Sequence, residues 1–138
     1  MAVFIQQGVS LTIAAVDYSD HISSCTLNQQ FDEVENTAAV TAGTASGHSF
    51  QKGLESATLQ VDFLNDQSAS ILAMLQANYG TAVSVVLKNT AAAVSATNPK
   101  YTFSVLINKL TPVSGKVGDL SIQSLSLTVV GAVTFAIV

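Results

Sequence analysis

Residues 55–63 alternate without a break. Ala57, Leu59, Val61 and Phe63 fall on one side, and Ser56, Thr58, Gln60 and Asp62 on the other. A two-residue period of this kind specifies a β-strand with one face in a core and the other in water. The stretch before it, 34–49, has the opposite character. It is rich in Ala, Thr, Gly and Ser and carries no apolar period. A loop of that length in a compact domain is either disordered or there to touch something. A strand-rich domain with one long projecting loop suits a self-assembling shell or tube better than an enzyme.

The rest of the chain extends the β pattern. A first strand is predicted over 9–16, with a turn near 17–20 and a second strand over 22–31. In the second strand Cys25, Leu27 and Phe31 share one side, and Ser24, Thr26, Asn28 and Gln30 the other. Pairing is expected to resume near 48–51, bend at Gly53 and continue through 55–64. The one predicted helix spans 68–78, with Asn65, Asp66 or Ser68 to cap it. Its stripe is Ile71, Leu72 and Leu75, widened by Met74, and Gly80 is placed to end it in a left-handed turn. Further strands are predicted over 82–88 and 100–110, with Tyr101, Phe103, Val105 and Ile107 on one face. The connection 89–99 reads as small, polar and flexible, and 111–118 as a turn-rich loop. In 120–130 the alternation changes phase, which predicts a β-bulge at Gln123–Ser124. A short closing strand is expected over 133–137. The fold class is mainly β: a β-sandwich or partly closed β-barrel with one flanking α-helix, in a single domain over 1–138.

Composition narrows the function classes. Hydrophobic residues make up 49% of the chain and charged residues only 10%. A domain with so little charge is poorly protected against association, so much of its surface is expected to be buried between subunits. The net charge is −4, arginine is absent, and Lys52, Lys88, Lys100, Lys109 and Lys116 are scattered. Tight nucleic-acid binding needs a basic patch and favours arginine forks, so it is not expected. Cys25 is alone and reads as a buried, inert thiol. His21 and His48 have no metal-ligand spacing. Asp32, Glu33 and Glu35 form an acidic cluster without the glycine and closing glutamate of a calcium loop, and read as solvated charge or as one half of an intersubunit ion pair. No nucleophile elbow or phosphate-cradling loop is present. The expectation is no catalytic, metal or cofactor site. The start lacks a signal-peptide pattern, and the apolar run 125–138 is too short and interrupted to span a bilayer. The expected product is soluble, made in a reducing cytoplasm and not inserted in a membrane.

Several stretches carry a resemblance. Asp-His-Ile-Ser-Ser-Cys-Thr-Leu at 20–27, Phe-Asp-Glu-Val-Glu-Asn-Thr-Ala at 31–38 and the run 48–63 are in order. Ala-Ala-Val-Ser-Ala-Thr-Asn-Pro-Lys-Tyr-Thr at 92–102 and Gly-Lys-Val-Gly-Asp-Leu at 115–120 follow. Together they resemble the major tail tube proteins of long-tailed (siphovirus-type) actinobacterial bacteriophages, over about 11–127. Two places depart from that pattern: the Ala/Thr/Gly/Ser run at 39–46 replaces a Met-Gly-Asp-like turn, and 134–138 is more apolar. The resemblance implies a virion protein of the tail, made in the host cytoplasm. It implies hexameric rings stacked into a tube through which the genome is delivered, with tape-measure, tail-terminator and baseplate proteins as further partners. DNA would be present only in transit.

Two sets of residues are expected to serve such an assembly. Asp32, Glu33, Glu35, Asn36, Thr37, Thr41, Gly43, Thr44 and His48 lie in or beside the projecting loop and would reach an adjacent subunit or ring. Thr26, Asn28, Gln30, Thr58, Gln60 and Asp62 form polar strand faces that would line a wet lumen. The alternatives are another tail or decoration protein, such as a terminator, and a stand-alone β-sandwich that binds a small ligand.

Overall fold

The computed structural model describes residues 3–6, 8–37, 47–65 and 71–138. Among these, seven antiparallel strands form one sheet in the order β2-β1-β5-β6-β7-β4-β3. The strands are β1 Ser10–Ile13, β2 Val16–Asp17, β3 Ile22–Glu35, β4 Phe50–Leu64, β5 Ala82–Lys88, β6 Lys100–Leu106 and β7 Ile122–Ala136. One helix, α1 Ile71–Ala77, joins β4 to β5. Among the described residues the fold is thus mainly β with one α-helix, and the sheet is not closed.

Alternation puts one face of every long strand into a common core. Ala57, Leu59, Val61 and Phe63 from β4 meet Leu125, Leu127 and Val129 from β7. Phe103 and Val105 of β6, Val83, Val85 and Leu87 of β5, and Leu11 and Ile13 of β1 complete the wall. Ile71 and Leu75 of α1 are fully buried in the same cluster. Each such side chain contributes about 1.5–3 kcal/mol by leaving water. The sheet rolls until its two ends approach. Cys25 and Leu27 of β3 share a cleft with Leu87 of β5 and Tyr101 of β6, yet β3 bonds only to β4.

The first predicted strand is broken in two. Ala14 and Ala15 have φ of 51° and 68°, and Ile13 pairs with Val16 across them. Two left-handed residues make the tight turn whose twist matches a hairpin. The corner is fastened by Ser19. Its hydroxyl accepts from the Leu11 N–H at 3.0 Å and donates to Asp17, which also accepts the Ser19 N–H at 2.9 Å. These bonds, the side-chain one first, hold the Asp17 carboxyl below its usual range.

Of the described residues in the expected loop over 34–49, only Val34 and Glu35 are strand, and β4 begins at Phe50. β3 runs to Glu35, which pairs with Phe50, and the Asn36 N–H reaches Ser49 O at 2.9 Å. Backbone pairing holds this hairpin together, so it needs no apolar period. Thr41, Gly43 and Thr44, with the rest of 38–46, lie outside the described residues, as does the expected helix start at 68. β6 stops at Leu106 instead of 110. β7 runs through 133–136 as one strand, so no separate closing strand forms. Its core face keeps a constant phase from Gln123 to Val129, and the irregularity falls later, where Gly131 takes φ of 78°. Gln123 is fully buried and its Oε1 accepts the Thr111 N–H. The connection 89–99 is tied together by Asn98. That side chain is 6% exposed, donates to Ala92 O at 2.9 Å and accepts from the Thr90 N–H at 3.3 Å. Gly80 adopts φ of 83°, as a left-handed turn after the helix requires.

Candidate assembly surface

Two features stand out once the core is removed from view: a polar sheet face and a projecting arm. Register builds the first. Ser24 pairs with Asp62 and Asp62 with Ser124; Thr26 with Gln60 and Gln60 with Ser126; Asn28 with Thr58 and Thr58 with Thr128. Gln30 pairs with Ser56. Directly opposed residues in an antiparallel sheet point the same way, so these side chains share the face opposite the core. The six residues expected to line a lumen are therefore brought together, and β7 adds a serine–threonine row that the sequence reading missed. The array is hydroxyls and carboxamides with one carboxylate, Asp62, and with Lys109 at its border. Such groups keep a water layer and present phosphate with no row of fixed cations.

The arm is the far half of the β3–β4 hairpin. Every residue of β3 from Asn28 onward is exposed, while the near half of the hairpin covers the core. β7 pairs with β4 only as far as Thr58, so beyond that point the two strands bond to each other, with Val133 of β7 beside Phe31 and Glu55 at the arm's base. A bulge bends the arm where Asp32 faces Gly53 and Leu54. A Cβ on Gly53 would sit 2.8 Å from Asp32 O, which explains the glycine.

Side-chain contacts along and across the two strands stiffen the arm. Lys52 lies 5.5 Å from the Phe31 ring centre and 3.9 Å from Glu55. Glu35 meets His48 Nδ1 at 2.5 Å and accepts from the Thr37 hydroxyl at 3.1 Å. The Ser49 N–H donates to Thr37 Oγ1 at 2.7 Å, and Asn36 Nδ2 to Gln51 Oε1 at 3.2 Å. Glu33, Glu35, Asn36, Thr37 and His48 are thus gathered at the arm's outer end, and Asp32 at its bend. The arm also exposes Phe31, Val34, Phe50 and Leu54, the last at 80%. Sequence reading missed these four as a set. Their signal was four large apolar residues inside otherwise polar stretches, legible only when the two strands are paired.

The remaining reactive side chains lie apart from both features. Cys25 is half-buried, and burial pushes its thiol up to about 11, leaving little thiolate near neutrality. His21 sits in the short turn before β3, 2.5 Å from Asp20. Among the described residues no helix is long and apolar enough to cross a membrane. No protein-family model matches the chain, and no curated protein matches it.

Proposed function

We propose that this chain is a structural subunit that assembles into rings and stacks them into a hollow tube, in the manner of phage tail tube proteins. The observation that carries the reading is the state of β3. It is a 14-residue edge strand, bonded on one side only among the described residues, and it continues into an arm with four exposed large apolar residues. A free edge of that length with apolar decoration is a template for association, and proteins that stay monomeric blunt or cover such edges. Edge-to-edge addition of copies would satisfy β3, and a head-to-tail contact that closes makes a ring.

The polar face supplies the channel. In a ring built through β3, the Thr26–Gln60–Ser126 and Asn28–Thr58–Thr128 rows run over adjoining strands and form a continuous wet wall. DNA passing such a wall meets hydroxyls and amides in place of cations, so it slides without being retained. The ordered sequence stretches at 20–27, 31–38, 48–63, 92–102 and 115–120 support the same reading and its hexameric form, with tape-measure, terminator and baseplate proteins as partners in a virion tail.

Negative-stain microscopy of the purified full-length chain at micromolar concentration tests this. Stacked rings or tubes are the expected result. Isolated rings that never stack would favour a terminator. A chain that stays monomeric across salt and concentration would contradict the reading.

A further inference from the structure

The molecule carries complementary surfaces at its two ends. β4 is 15 residues long, roughly 50 Å of extended chain. Its Phe50 end belongs to the arm. At the other end Leu64 pairs with Ile122, the residue into which the loop over 107–121 leads. Arm and loop therefore sit at opposite ends of one axis.

The loop has a fixed shape. Gln123 accepts the Thr111 N–H, the Ser114 hydroxyl donates to Ile122 O at 3.1 Å, and the Asp119 N–H to Lys116 O at 3.0 Å. Gly115 and Gly118 take φ of 106° and 93° to make its turns. Yet it holds Val113 at 91% and Val117 at 107% exposure, with Leu120 beside them. A fastened loop with three aliphatic side chains in water presents a contact surface. Its charges are Lys109 and Lys116 against Asp119, so it is net positive. The arm carries Asp32, Glu33, Glu35 and Glu55 against Lys52, and is net negative.

We propose that the arm of one copy docks on the 109–120 loop of a second copy, end to end. Phe31 and Phe50, which share one face of the arm with Glu33 and Glu35, cover Val113, Val117 and Leu120, while Glu33 and Glu35 face Lys109 and Lys116. The occupant is a second copy because both halves of the contact are on this chain, with opposite charge and matching apolar content. The contact is heterologous and joins opposite ends of the molecule along the β4 direction, so it propagates as a stack along an axis. It rests on the tube reading and assigns the surface that receives each arm when rings stack.

Full-length variants test it by sedimentation and microscopy. Lys109→Glu with Lys116→Glu should leave rings but raise the concentration needed for tubes roughly tenfold or more, since like charges then face each other. Glu33→Lys with Glu35→Lys should do the same, and the fourfold variant should restore tubes. Val117→Ser alters one fully exposed side chain, cannot disturb the core, and should also raise that concentration. Tubes at the wild-type concentration in the lysine or Val117 variants would overturn the docking while leaving the tube reading intact. Loss in both double variants without recovery in the fourfold one overturns it as well. A wild type that never assembles overturns docking and tube reading together.

Discussion

β4 is one strand in two environments. From Ala57 to Phe63 alternate side chains are buried against β7 and the core; from Phe50 to Ser56 all but Gly53 are exposed. The near half is held by burial. The far half is held by backbone bonds to β3 and by pairs such as Glu35–His48 and Lys52–Glu55. Exposed pairs of that kind each contribute about 0–1 kcal/mol. The comparison teaches that strand length and core length are separate quantities. Where a strand outruns its core, the surplus is stable enough to exist and is left free to meet something else.

Matched truncations in the two halves of β4 test that division directly. Leu59→Ala should cost about 3–5 kcal/mol in chemical denaturation of the subunit, because its side chain is fully buried. Leu54→Ala, the same change in the same strand, should stay within roughly 0.5 kcal/mol. Equal effects would erase the distinction between body and arm.

Gln123→Leu comes next. It keeps the core volume but leaves the Thr111 N–H without its acceptor, and should cost about 1–2 kcal/mol. Among the described residues the Gln123 Nε2 has no partner, as Asn65 Oδ1 has none, so part of that loss is offset. A change within measurement error would mean the loop over 107–121 is not anchored there.

At the β1–β2 turn the sign reverses. Ala14→Asn with Ala15→Gly replaces two left-handed alanines by the residues such a turn prefers. It should stabilise the body by about 1 kcal/mol in thermal melts and leave the arm's hydrogen exchange unchanged. The smallest effect concerns Cys25. Its folded thiol lies at about 11 against an ordinary 9.0. The raised value means the unfolded chain ionises first, so the thiol's contribution is full below pH 9.0 and is lost as pH rises towards 11. Alkylation should be slow at pH 8 and accelerate towards 11, whereas an arm-like, solvated thiol would react readily by pH 9.

These differences also show what the sequence could disclose. The alternation in β4 and β5 was legible because burial selects residue type at every second position. The arm was not, since Glu33, Val34 and Glu35 are held by pairing with Lys52, Gln51 and Phe50, which leaves no trace in either strand alone. Ala14 and Ala15 hid a turn because neither is a turn-forming residue. Gln123 suggested a bulge because a buried amide interrupts an apolar row, and only the Thr111 N–H explains it. Asn98 likewise stiffens a stretch whose composition reads as flexible. Of the candidate surfaces, the polar rows on β3 and β4 were readable by period, while their continuation onto Ser124, Ser126 and Thr128 needed the sheet order.

The proposed assembly makes β3 and its arm a surface awaiting further copies. Hydrogen exchange read by peptide mass, on dilute subunit and on the same protein at assembling concentration, tests it most directly. Peptides spanning 59–63 should exchange slowly in both samples. Peptides over 26–35 and 50–56 should exchange quickly when dilute and become protected on assembly, since edge pairing and docking remove their amides from water. Arm and edge amides that exchange equally fast at both concentrations, while particles form, would contradict the account.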